Sequence, residues 1–274
     1  MLWHLHQTQL MLTTTSSNVH FCAYIITMKS SFTIRAYSLK TFFKQLAIVG
    51  LLLCIVGSVF LCSYYVPKLN QVDLSYRGVI ISGDEKSNNV SVMINVCWGE
   101  EYLHSMLEEL NKRNIQTTFF VGGEWANRNP NMLKKIVENG HELGNHGYFH
   151  KDHDKLSYQQ NLDEILMCHK IVQELTGVQM NVFAPPSGAY NEYTTKAATH
   201  LGYKTIMWSK DTIDWRDQDV NVIYTRALQD IKGGDLILMH PTKASMEALP
   251  QILDAILSKG LNVTTVSKTL EQSV

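Results

Sequence analysis

Apolar positions along the chain fall into two regimes. Residues 46–66 form one apolar run without a charged side chain, whereas from residue 90 onward short apolar stretches alternate with longer amphipathic ones. The second regime predicts strand and helix in turn. Residues 90–96 and 117–121 read as strands, and 100–114 as a helix with Tyr102, Met106, Leu107 and Leu110 on one face. Asn129, Pro130 and Gly140 mark the start and stop of a second helix. Ser157 and Gln160 have capping-box spacing and open a long helix that Gly177 ends. Strands follow at 182–184, 204–208, 235–239 and 262–266, and helices at 191–201, 220–231 and 245–258. This alternation predicts an α/β fold, a parallel sheet with helices outside, closed into a barrel. Ligand sites in such folds collect at the C-terminal ends of the strands.

The first regime has a different meaning. An uncharged run of about 20 residues matches a bilayer span. Lys29, Arg35, Lys40 and Lys44 precede it, so the positive-inside rule puts the N-terminus in the cytoplasm and the rest of the chain outside the cell membrane. A cleaved signal peptide fits less well, because 57–61 lacks an A-x-A-like site. Residues 1–27 contain no Asp, Glu, Lys or Arg and are expected to be disordered, with translation starting at Met28. The organisation expected is therefore a tail at 1–45, one transmembrane helix at 46–66, a linker at 67–89 with a short strand near 79–82, and a folded domain at 90–274.

Composition adds exclusions. A formal net charge of -1 with 18% charged residues supplies no electrostatic case for nucleic acid. Of five cysteines, only Cys97 and Cys168 lie in the predicted domain, and no disulfide framework is visible.

Candidate chemistry gathers around Asn145-His146-Gly147-Tyr148-Phe149-His150. Two imidazoles four residues apart can share one metal ion, although this spacing alone is weak evidence. Three further clusters close predicted strands: Ala184 to Tyr190, Asp211 to Trp215, and Leu236 to Pro241.

Taken in order, these clusters resemble the polysaccharide deacetylases of the NodB-homology type, carbohydrate esterase family 4. The narrower resemblance is to the sporulation-associated deacetylase-like proteins of Bacillus, over roughly residues 90–270. It implies a distorted (β/α)7 barrel that uses a divalent metal, zinc or cobalt, to hydrolyse the carbon–nitrogen bond of N-acetylated cell-wall sugars such as peptidoglycan or chitooligosaccharide. By resemblance, His146 and His150 are metal ligands and His240 is the general acid, oriented by Asp211 or Asp214. Pro185, Pro186, Ser187, Gly188, Tyr190 and Trp215 line the substrate groove. The first motif departs from the family. Its base position is Asn95 and its third metal-ligand position Val96, with Cys97 next to it as a weak substitute. The arginine that steadies the base is replaced by Ala184.

These losses agree with one another. An arginine facing a neutral Asn95 would be a buried unpaired charge, which costs several kcal/mol. Ala184 removes that charge. Glu100, Glu101 and Asp152 lie near the same rim as candidate stand-ins for the lost carboxylates. Two readings follow: a metal-dependent deacetylase with impaired turnover, or an inactive, membrane-anchored module that binds cell-wall glycan.

Overall fold

The computed structural model describes residues 43–44, 46–58 and 78–271. The disorder expected at 1–27, the start at Met28 and the 59–66 part of the expected span lie outside them. The chain divides into two compact units, Met1–Val72 and Asp73–Val274. In the first, residues 43–44 and 46–58 are helical (α1) and expose Leu46, Leu51, Leu53 and Val56. Among the described residues, no helix is long and apolar enough to cross a membrane.

The second unit is a curled parallel sheet flanked by helices. Its strands are β1 (Val79–Ile80), β2 (Asn89–Val96), β3 (Thr118–Val121), β4 (Glu142–Asn145), β5 (Val182–Phe183), β6 (Lys204–Ile206), β7 (Lys210–Asp211), β8 (Leu236–Met239) and β9 (Asn262–Val263). They run in the order β1-β6-β5-β4-β3-β2-β8-β7, with β9 on β2. Residues 78–89, expected as a linker, therefore belong to the folded unit, since β1 pairs with β6.

The expected barrel is not closed by strand pairing, because β1 and β7 are edges. Instead β6 and β7 are one length of chain bent at 207–209. Its first part pairs with β1 and β5, and its second part with β8. Met207 N–H donates to the Ile80 carbonyl at 2.8 Å and Ser209 N–H to that of Leu236 at 3.0 Å, which carries the curl across the bend.

Alternation along β2 sorts the core into two layers. Val90, Val92, Ile94 and Val96 pack outward with Leu103, Met106, Leu107 and Leu110 of α2 (Glu100–Lys112). Met93 points inward with Phe120, Ala184 and Leu238. Leu103, rather than Tyr102, completes the buried stripe of α2.

Local signals explain the other helices. α3 (Gly123–Arg128) had no clear sequence signal and ends at Asn129. Asn129 makes no side-chain cap on α4 (Pro130–Glu138), because its amide bonds back to the Trp125 carbonyl at 3.0 Å. α5 (Tyr158–Thr176) has both halves of the Ser157–Gln160 capping box and stops at Gly177. α6 (Glu192–His200), α7 (Val220–Leu228) and α8 (Lys243–Ser258) follow, α8 starting two residues earlier than expected. The last predicted strand stops at Val263, and α9 (Val266–Thr269) sets Val266 in the inner layer.

Candidate functional site

A cavity of about 340 Å³ opens at the C-terminal ends of the strands, lined among others by Asn95, His146, His150, Asp211, Leu238 and His240. Trp98, Trp208 and Trp215 form aromatic walls and Ser187 completes the lining.

The histidine pair sits on a tightly anchored loop after β4. Asn145 Oδ1 accepts Gly147 N–H at 2.9 Å, and its Nδ2 donates to the Ile165 carbonyl of α5 at 2.8 Å. Glu164 of α5 accepts the N–H groups of Tyr148 at 3.0 Å and Phe149 at 2.8 Å, and pairs with Lys151 at 2.8 Å. Gly147 has a φ of 68°, and a Cβ there would lie 2.9 Å from His153 Nε2, so glycine suits the position twice over. His146 Nδ1–H donates to the Ala184 carbonyl at 2.7 Å, which leaves Nε2 as a free lone pair. Burial first, and His150 next, hold the His146 imidazole well below its ordinary range; burial also lowers His150. Both rings are therefore neutral, the state in which imidazole binds metal.

Opposite them stands the acid assembly. Asp214 is fully buried and accepts His240 N–H at 2.6 Å and Nδ1–H at 2.7 Å. That fixes Nε2 of His240 as the nitrogen left for substrate. Asp214 also accepts the Ser245 hydroxyl, and Thr242 Oγ1 donates to Ser245 Oγ at 3.0 Å while capping α8. The positive end of α8 thus backs the carboxylate. Trp98 stacks on His240, rings 5.9 Å apart and 6° from parallel. Gly99 makes this approach available, because a Cβ there would lie 2.0 Å from the Pro241 carbonyl oxygen.

Several expected roles change. Val96 cannot occupy a ligand position, since it faces the outer core. Cys97 lies on the bend just past β2, with its sulfur within 4.8 Å of a donor nitrogen of each of His146 and His150. Asn95 is buried, and its Oδ1 has no hydrogen-bond partner. Asp211 lines the cavity but does not touch His240; its Oδ1 accepts Ile213 N–H at 2.9 Å, closing a turn. Tyr190 lies in a different groove, with Tyr158, Lys196 and His200. Pro185 and Pro186 are buried behind the wall, Gly188 packs under Trp208, and of that loop only Ser187 reaches the cavity. Asp152 pairs with Lys155 at 2.6 Å, and Glu100 and Glu101 start α2 outside the lining. The sequence places Trp98 among the rim aromatics and Leu238 in the motif that ends at His240, and both line the cavity; sequence reasoning missed Ser245. The spacing of Thr242 and Ser245, an N-cap with its N3 residue, was the available signal for it.

The polysaccharide deacetylase family model matches residues 82–206. The uncharacterised protein YlxY of Bacillus subtilis (strain 168) is 37% identical over 194 residues, covering 71% of this chain and 61% of that one. The chain therefore spans less than two thirds of that relative. A peptidoglycan-N-acetylglucosamine deacetylase of Bacillus cereus is 30% identical, covering 62% of this chain and 82% of that one. Among solved structures, a CE4 family pseudoenzyme from Bacillus anthracis matches with a TM-score of 0.69 and 34% identity, covering 70% of this chain and 69% of that one. A mutant of that pseudoenzyme is described with restored enzymatic activity. The chain belongs to the polysaccharide deacetylase family.

Proposed function

We propose that the domain binds N-acetylated cell-wall glycan in this cavity and that its deacetylation is impaired by loss of the base. The observation that carries the reading is Asn95, an amide where hydrolysis needs a group that accepts a proton. Glu100, Glu101 and Asp152 lie outside the lining, and Asp211, the carboxylate within it, is engaged by the Ile213 N–H. A positioned base contributes about 10²–10⁴-fold to such reactions.

The remaining machinery suits a bound N-acetyl sugar. His240, held by Asp214, presents Nε2 toward a leaving amine. His146 and His150 offer neutral nitrogens to a divalent metal, which when bound polarises an acetamide carbonyl. Trp98 and Trp215, 45% and 57% exposed, offer aromatic faces to sugar rings. Names of the relatives support the substrate class. The uncharged run at 46–66 behind four basic residues supports tethering to the cell membrane with the domain facing the wall.

The test is calorimetric titration of the full chain with chitooligosaccharide, beside an acetate-release assay on the same sugar and on peptidoglycan. Binding with acetate release about 10²-fold or more below an active relative supports the reading. Release at the relative's rate refutes the impairment, and absence of binding refutes the glycan assignment.

A further inference from the structure

We propose that Cys97 is the third metal ligand, so that Cys97, His146 and His150 form a thiolate–imidazole site built for zinc. The inference rests on the reading above for the role of the histidine pair, and changes what completes it.

Three observations carry it. β2 ends at Val96, which is spent on the outer core, and Cys97 is the next residue, on the bend that leaves the strand. The sulfur and one donor nitrogen from each histidine all lie within 4.8 Å of one another. Donors about 2.0–2.3 Å from one tetrahedral ion stand roughly 3.5 Å apart, so a small rotation of the side chains closes the set. Among the described residues this is the one group of three such donors. The third observation is the seat of the thiol. A Cβ on Gly122, at the end of β3, would lie 2.6 Å from Cys97 Sγ. The sulfur therefore occupies a space that exists only because residue 122 is glycine.

The chemistry follows from the donors. A thiolate and two imidazoles are soft and borderline ligands, which favour zinc over magnesium, calcium or manganese. Binding forms a sulfur–zinc bond, breaks the sulfur–hydrogen bond of Cys97 and releases that proton to solvent. Each imidazole binds through the lone pair of a ring nitrogen. The two replaced positions of the first motif then differ in consequence: Asn95 removes the base, whereas the ligand lost at Val96 is supplied by the neighbouring Cys97.

Cobalt(II) reports directly on sulfur ligation. The full chain, freed of metal by a chelator and titrated with cobalt, is expected to show a sulfur-to-cobalt charge-transfer band saturating at one ion per chain and erased by zinc. Cys97→Ala should abolish the band and lower zinc affinity by no less than the about 10–100-fold that loss of an outer-shell partner costs. Cys168→Ala should leave the band intact, which separates the site from the domain's buried thiol. Circular dichroism confirms that each variant is folded, and Cys97→Ser serves if the alanine variant is not. Cobalt bound without the band, or a band that survives in Cys97→Ala, overturns the inference. The glycan titration is independent: oligosaccharide binding with no thiolate band sinks this proposal alone, and a thiolate band with no oligosaccharide binding supports it while sinking the glycan reading.

Discussion

Asp214 shows what one buried residue settles. It accepts the backbone N–H and the Nδ1–H of His240 and the Ser245 hydroxyl, with no exposure to solvent. Asn at this position keeps one acceptor oxygen and gains a donor facing other donors. We expect Asp214→Asn to lower stability by about 1–3 kcal/mol, read as a fall in the urea midpoint at unchanged slope. Asn95 makes the opposite case. Asn95→Asp restores a carboxyl, but Ala184 supplies no counter-charge. Burial then raises the folded-state pKa above the unfolded value of about 3.9. A raised carboxyl favours the folded state while protonated, so the variant should lose stability relative to the parent as pH rises from about 4. Melting curves at pH 4 and pH 8 check this; an equal difference at both pH values refutes it. The same carboxyl is expected to raise acetate release, with Ala184→Arg raising it further.

At the scale of elements, the histidine loop is held by α5. Glu164→Gln removes the charge that accepts two loop N–H groups, and is expected to weaken zinc binding by about 10–100-fold, as outer-shell losses do. Ser157→Ala, which breaks the capping box of the same helix, should cost about 0.5–2 kcal/mol of stability and leave zinc affinity nearly unchanged. The β3–β4 pairing carries a pH dependence of its own. His141 Nδ1 accepts Thr117 N–H at 3.2 Å, and burial lowers its pKa from 6.5 to about 4. The folded state binds the proton less readily than the unfolded one. Stability should therefore be full above pH 6.5 and fall as pH drops toward about 4, by at most about 3 kcal/mol. His141→Gln should flatten that part of the profile in urea titrations between pH 7 and pH 4.

For the whole molecule, residues 73–274 form a compact unit with their own two-layer core. Expressed alone, this segment is expected to unfold in one cooperative transition and to keep the cobalt spectrum of the full chain. The proposed tether predicts that the full chain sediments with membranes and that removal of residues 1–66 frees it. Recovery of the full chain in the soluble fraction would refute the tether. How far the sequence reached is clear from particular residues. Ser157, Gln160 and Gly177 announced α5, and Pro130 the start of α4, because caps are local chemistry. β1, α3 and α9 went unread or half-read: they are short, and neighbours stabilise them rather than their own pattern.

Local pattern determined the α/β alternation and set His146, His150, Asp214 and His240 at strand ends, since periodicity and motif order are written along the chain. The resemblance of those ordered motifs implied the family and the base position at Asn95. Only the tertiary structure decided which neighbours face the cavity. The parity of β2 depends on which side helices cover, so it turned Val96 outward. Distance decided the remainder: it set Cys97 beside His146 and His150, removed Tyr190 and the prolines from the lining, joined Ser245 to Asp214, and left the sheet curled but unclosed between its edge strands.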